Sequence, residues 1–247
     1  MKKFLTIVLM GLMVFLISGI AAAEDNNGCI YLDYLVSGDS SFNISGITTL
    51  PSYQLEPSEY TVGFDFVFGN WVIGTEYVAG SSEVTAIDGS SLSPTQTFAE
   101  FNYHKMNVGY RIINHQQFKL DLIGSYYSIL SSDRMVTLVM NDYSIDGIMV
   151  GTNITYGFSE KASINLNYGT SLSASPSNLL SVIPSKSGNF TDYHLKFHYL
   201  LTDNFGVTAG YRSYTAKVSW ELPGPEILRI DMTNKLSGYT VGIEFKF

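Results

Sequence analysis

Residues 59–80 read EYTVGFDFVFGNWVIGTEYVAG, two alternating runs joined at Gly69-Asn70. In the first run Tyr60, Val62, Phe64, Phe66 and Phe68 alternate with Thr61, Gly63, Asp65 and Val67. In the second, Trp71, Ile73, Thr75, Tyr77 and Ala79 alternate with Val72, Gly74, Glu76 and Val78. A period of two belongs to extended chain, whose side chains point to opposite faces in turn. The segment therefore reads as a β-hairpin with its large aromatics on one face and its glycines and carboxylates on the other. Whether the aromatic face points inward or outward separates a soluble binding barrel from a barrel that spans a membrane.

The amino terminus bears on the compartment. Lys2-Lys3 precede an apolar run from Phe4 to Ile20, broken only by Thr6, Gly11, Ser18 and Gly19, and Ala21-Ala22-Ala23 follow. A basic start, an apolar stretch and small residues before an acidic Glu24-Asp25 describe a secretory signal peptide over 1–23. Residues 24–247 are then the mature domain. Removing Lys2 and Lys3 takes the net charge from −8 to −10, which argues against nucleic acid as a partner. Cys29 is the single cysteine, so no internal disulfide forms.

The hairpin pattern recurs along the chain. Met106, Val108, Tyr110 and Ile112 lead through Asn114-His115 to Phe118, Leu120, Leu122 and Tyr126. Ile148, Val150, Ile154, Tyr156 and Phe158 lead through Ser159-Glu160 to Ala162, Ile164, Leu166 and Tyr168. Tyr193, Leu195, Phe197, Tyr199 and Leu201 lead through Thr202-Asp203-Asn204 to Phe205, Val207, Ala209 and Tyr211. With Ile30 to Val36 at the start and Tyr239 to Phe247 at the end, the count is ten strands. Short turns alternate with longer connections over 38–58, 80–97, 130–143, 174–189 and 215–236, the asymmetry of a barrel with surface loops on one side. In AKVSWELPGPEILRID the alternation continues, which predicts a hairpin turning at Pro223-Gly224.

Two features turn the aromatic face outward. The opposite face is mostly Gly, Ser, Thr and Asn, as at Gly147, Gly151, Asn153 and Thr155, where a water-facing sheet would carry Lys and Glu. The aromatics also gather at strand ends: Phe68, Trp71, Tyr110, Phe118, Phe158, Tyr199, Phe205 and Phe247 near the short turns, and Tyr60, Tyr77, Tyr126, Tyr168, Tyr193, Tyr211 and Tyr239 at the other ends. Two such rings suit the two interfaces of a bilayer. The expected fold is all-β, a ten-stranded antiparallel up-and-down transmembrane β-barrel.

The chain ends SGYTVGIEFKF, and Thr240-x-Gly242-x-x-Phe245-x-Phe247 resembles the carboxy-terminal β-signal of bacterial outer-membrane barrels. With the signal peptide and the ten strands, the chain resembles a small OmpA/OmpX-type or opacity-type barrel. The resemblance implies residence in the bacterial outer membrane, contact with its lipid, and the barrel-assembly machinery as a partner reading the last strand. It implies no cofactor. A monomer is expected.

The inward parity carries six acids, Asp33, Asp65, Glu76, Asp121, Asp192 and Glu244, and six bases, Lys105, Arg111, Lys119, Lys196, Arg212 and Lys246. Matched signs in a confined lumen favour ion pairs that plug it, since unpaired buried charge is costly. Arg212 cannot pair with the neighbouring Lys196, so an acid elsewhere must face it. A narrow small-solute channel is the alternative, and an excess of one sign would favour it. Asp192-x-His194, near the outer end of a strand, resembles the Asp–His pair that omptin proteases place beside an acidic pair at the rim. No acidic pair completes it, and an enzyme is not expected. His194 and His198 lie about 13 Å apart along the strand and cannot share a metal.

The expected role is structural or adhesive. The connections hold Asp39, Glu56, Glu59, Glu83, Asp88, Asp133, Asp142, Asp146, Glu221, Glu226 and Asp231. Such an acidic surface suits an extracellular ligand, basic partners or divalent cations.

Deleting Phe247 is expected to lower the amount of heat-modifiable, folded protein recovered in the outer membrane. Replacing Lys246, on the opposite parity, should have a much smaller effect. Equal losses on unboiled gels would mark the terminal pattern as coincidence.

Overall fold

The computed structural model describes residues 27–45, 53–87, 90–91, 98–133, 142–177, 185–222 and 228–247. The expected signal peptide, Asp88, Glu226 and the turn at Pro223-Gly224 lie outside these residues. Eleven strands are present in chain order: β1 (Asn27–Ser45), β2 (Tyr53–Phe68), β3 (Trp71–Ile87), β4 (Ser90–Ser91), β5 (Phe98–Asn114), β6 (Phe118–Asp133), β7 (Asp142–Gly157), β8 (Ala162–Ser177), β9 (Ser185–Leu200), β10 (Phe205–Leu222) and β11 (Leu228–Lys246). The two residues of β4 pair only with the end of β3. The other ten form one antiparallel wall in sequence order, and β11 pairs with β1 to close it.

Closure removes the edge that an open sheet would leave unpaired in hydrocarbon. Partners followed once round the wall run Asn27, Val67, Val72, Gly109, Ile123, Gly151, Gly169, Asp192, Tyr214 and Leu236, and return at Ser40 of the starting strand. Of that offset, from 27 to 40, one residue belongs to the bulge at Val36. A stagger of this kind tilts the strands by about 40°.

The aromatic face points outward. Tyr34, Tyr60, Trp71, Met106, Tyr126, Phe158, Tyr199, Tyr239 and Phe245 are all exposed large side chains. Along single strands the two rings stand six to eight residues apart, as from Tyr193 to Tyr199 and from Tyr60 to Phe68. That separation corresponds to roughly 15–20 Å of rise.

Two interruptions in the ladder fall outside the outer tyrosine ring. Pairing between β1 and β2 runs up to Tyr34 opposite Tyr60, lapses, and resumes at Ser40 opposite Leu55. Pairing between β8 and β9 ends at Thr170 opposite Thr191, two residues beyond Tyr168 opposite Tyr193. There the Phe190 amide donates to the Ser171 hydroxyl instead, at 2.8 Å. Within lipid such a lapse would strand backbone groups; beyond the ring, water and side chains satisfy them.

The strands continue beyond the bilayer not only where the alternation predicts it, over 216–231, but through most of the residues expected in long connections. The ten wall strands hold 16–19 residues each. At about 3.3 Å per residue and 40° of tilt they rise roughly 40–48 Å, well beyond an apolar band of about 25 Å. The outward face above the bilayer no longer needs apolar residues, so the lipid-type alternation stops while the hydrogen-bond ladder continues. Asp39, Glu56, Glu59, Asp146 and Asp231, expected in loops, therefore sit in strands, as do the backbones of Glu83, Asp133, Asp142 and Glu221.

This projecting part has a core of its own. Tyr103, Tyr127, Ile129, Ile145, Phe190, Tyr214, Val218 and Met232 are buried inside the wall, each nearer the outer end of its strand than the luminal charges. The Phe190 ring lies 5.1 Å from Tyr103, 5.1 Å from Tyr127 and 6.2 Å from Tyr214, centroid to centroid. Truncating a ring at the centre of such a cluster loses its burial and leaves a cavity. Phe190→Ala is expected to cost about 3–5 kcal/mol in urea unfolding of the folded barrel in detergent. An unchanged midpoint would mean that these rings do not pack on one another.

Candidate functional site

Arg212 lies where the charged lumen meets this aromatic layer, and its side chain is fully enclosed. Its Nη2 stands 2.6 Å from Glu76 Oε1 and 3.5 Å from both oxygens of Asp192. Its Nη1 donates to Thr61 Oγ1 at 3.1 Å and lies 4.0 Å from Glu59 Oε1. Lys105 Nζ is 2.9 Å from Asp192 Oδ2 and 3.6 Å from Glu76 Oε1. Three tyrosine hydroxyls complete the set: Tyr31 donates to Glu76, Tyr103 to Asp192 and Tyr214 to Glu59, at 3.0, 3.4 and 3.3 Å. Side chains from β1, β2, β3, β5, β9 and β10 thus meet across the lumen. The acid facing Arg212 from elsewhere is Glu76, on the far wall.

Towards the short turns, which face the periplasm in barrels of this type, the contacts become smaller and wetter. Lys196 Nζ is 2.6 Å from Asp33 Oδ2, and the Thr208 hydroxyl donates to Asp33 at 2.7 Å. The Lys196 ammonium also lies 3.9 Å from the centre of the Tyr31 ring. Arg111 grips Asp121 through two nitrogens at 2.7 and 3.3 Å, and Asn153 donates to the same carboxylate at 3.2 Å. Asn165 links Asn153 and Thr155 at 2.6 and 2.9 Å. Glu244 lies between His198, at 2.7 Å, and Lys246, at 3.3 Å. Most of these side chains, though not Asp33 or Thr208, surround a cavity of about 250 Å³ that reaches from the turn-end Lys119, Arg111 and Lys246 up to Asp192.

Five carboxylate–cation contacts therefore join ten of the twelve residues assigned to the luminal charge network: Asp33–Lys196, Glu76–Arg212, Asp121–Arg111, Asp192–Lys105 and Glu244–Lys246. Asp65 and Lys119 line the same cavity and make no ion pair or hydrogen bond within the described residues. Gly242 of the terminal pattern serves this packing, because a Cβ there would meet Asp33 Oδ1 and the Leu32 carbonyl, each well inside contact distance. Thr240 turns inward, whereas Phe245 turns outward. The Phe247 ring stacks on Phe64 and Phe245 at 6.4 and 6.3 Å, and its backbone exchanges hydrogen bonds with Gly28.

Three placements depart from the reading of the sequence. Glu59 is buried against Arg212 and Tyr214 rather than held in a surface loop. Asp192 and His194 do not sit near a strand end, because β9 begins seven residues further out at Ser185. Both are enclosed, and His194 Nε2 has no hydrogen-bond partner among the described residues. The inward aromatics form a third group that sequence reasoning misses, although parity carries them: Tyr103 shares a face with Lys105, and Phe190 with Asp192, His194 and Lys196. Among the described residues no group of three or more His, Cys, Asp or Glu side chains is placed to hold a metal ion.

No protein-family model matches the sequence, and no curated protein matches it. Solved structures do. The outer membrane protease OmpT of Escherichia coli superposes with a TM-score of 0.59 at 10% identity, over 91% of this chain and 98% of that one. Neisserial surface protein A gives 0.33 at 12% identity, over 89% and 97%. Ail of Yersinia pestis gives 0.31 at 13% identity, over 90% and 99%. At these identities the likeness to OmpT carries the fold alone: the chain is a closed ten-stranded barrel of the outer-membrane type.

Removing one partner of a buried ion cluster leaves the others uncompensated, whereas removing both leaves mainly a packing change. Arg212→Ala is expected to destabilise the barrel by about 3–5 kcal/mol. Arg212→Ala with Glu76→Gln should recover part of that loss, Asp192 and Glu59 being left without the guanidinium. Additive losses in the double-mutant cycle would show that the two side chains do not interact.

Proposed function

We propose that this barrel is a closed, non-enzymatic surface protein of the bacterial outer membrane, with a structural or adhesive role. One observation carries the reading: the lumen is filled across its width by the Arg212 cluster, and Phe190 with its three tyrosine neighbours fills the next layer outward. A permeating ion would have to displace paired charges and then cross an apolar layer, both at high cost. The projecting wall and the five connections above it are then the surfaces that meet an extracellular ligand, and their acidic residues favour basic partners or divalent cations. Insertion would follow cleavage after Ala23, with the barrel-assembly machinery reading Thr240, Gly242, Phe245 and Phe247, and would yield a monomer surrounded by lipid.

A narrow channel is the second reading, favoured by the polar cavity in the inner half of the lumen. A rim protease has less support. Asp192 is already engaged by Lys105 and Arg212, and His194 lies behind the same closure rather than at an open rim.

The purified barrel is expected to be silent in planar bilayers and to leave dibasic peptides intact. Regular single-channel steps from the wild-type protein would replace the plug with a pore, and specific peptide cleavage would make it an enzyme.

A further inference from the structure

The charge pairing leaves a remainder with consequences for binding. Among the described residues seven acids, Glu59 included, and six bases face the interior, and five pairs together with the Arg212–Glu59 contact account for all but Asp65 and Lys119. These two are of opposite sign, stand on different strands, β2 and β6, and line the same cavity of about 250 Å³. Both are half-buried. The rest of its wall offers amides and hydroxyls from Asn107, Asn153, Thr155, Ser163, Asn165 and Asn167. At its upper end the cavity meets the Arg212 cluster, so the turn end is the way in.

We propose that this cavity is a binding site for a small zwitterionic solute entering from the periplasmic side, with Asp65 receiving its cationic end and Lys119 its carboxylate. The charge balance favours a zwitterion over a simple ion. The cavity wall carries as many bases as acids, so a net-charged guest would leave one protein charge unmatched in a confined space. A zwitterion satisfies both unpaired groups together, each through a charge-assisted hydrogen bond. Its polar body would then lie against the asparagine wall. The volume suits an amino acid or a compound of similar size and excludes a long peptide.

The test is titration calorimetry on the full folded barrel in detergent. The probes are straight-chain ω-amino acids: glycine, β-alanine, γ-aminobutyrate and the longer homologues. For each, the carboxylate and the amine of matching length serve as controls, with an uncharged polyol of similar size. The expected result is saturable binding that peaks at one chain length, because only one length lets both ends reach their partners. At that length the zwitterion should outbind either control by about tenfold or more. Asp65→Asn should erase its advantage over the carboxylate, and Lys119→Gln its advantage over the amine, with heat-modifiability retained in both variants. Binding without a length optimum, equal binding of the polyol, unaltered affinity in both variants, or no saturable heat would each overturn the proposal. The length series uses wild-type protein alone, so it decides the matter even where a variant fails to fold.

Discussion

Water is absent from the hydrocarbon layer, and there every backbone amide and carbonyl must find its partner within the wall. From this follow the closure of β11 on β1 and a ladder that stays paired between the two aromatic rings apart from single-residue bulges such as those at Val36 and Ile112. The places where the rule relaxes are equally informative. The ladder lapses between β1 and β2 directly above Tyr34 and Tyr60, and between β8 and β9 just above Tyr168 and Tyr193. The tyrosine ring thus marks the boundary between a solvent that forbids unpaired backbone and one that tolerates it.

The same boundary divides the interior. At the level of the membrane the outward face is apolar, and the lumen takes the polar side chains, with room left for a cavity. Above the outer ring the outward face meets water, and the inside holds Tyr103, Tyr127, Phe190, Val218 and Met232 as an ordinary soluble β-structure would. The barrel therefore turns inside out, chemically, along its length. Arg212 and its carboxylates occupy the junction, where paired charge borders an apolar layer that water does not enter.

Much of this is legible in the sequence, and the parts that are not have a common cause. Strict alternation identifies all ten wall strands, their outward face and the twelve inward charges, because lipid on one side and a polar lumen on the other make each residue's chemistry report its direction. Above the bilayer the outside becomes wet and the inside dry, and the polar–apolar code reverses. Glu59, the last inward acid before that reversal, reads as a loop acid although it shares parity with Thr61 and Asp65, and Phe190, beyond it, escapes notice although it shares parity with Asp192. The cross-barrel partners lie beyond reach for a different reason. Nothing local links Arg212 to Glu76, which sits 136 positions earlier in the chain and meets it only once the wall has closed with its stagger. The same holds for the remainder of Asp65 and Lys119, which exists only after every other charge has found its partner.

The length of the strands has a consequence for how this protein can change over generations. A surface protein under pressure from its surroundings diversifies most readily by insertion and deletion in its exposed segments. Here much of what projects above the membrane is register-locked wall, in which adding or losing one residue sends every later side chain of that strand to the opposite face. A lysine would enter the core around Phe190, and a ring would leave it. Length variation is therefore confined to the five outer connections, the longest of which spans only residues 88–97. On the wall itself, variation is left with single substitutions at outward positions such as Lys217 and Lys235.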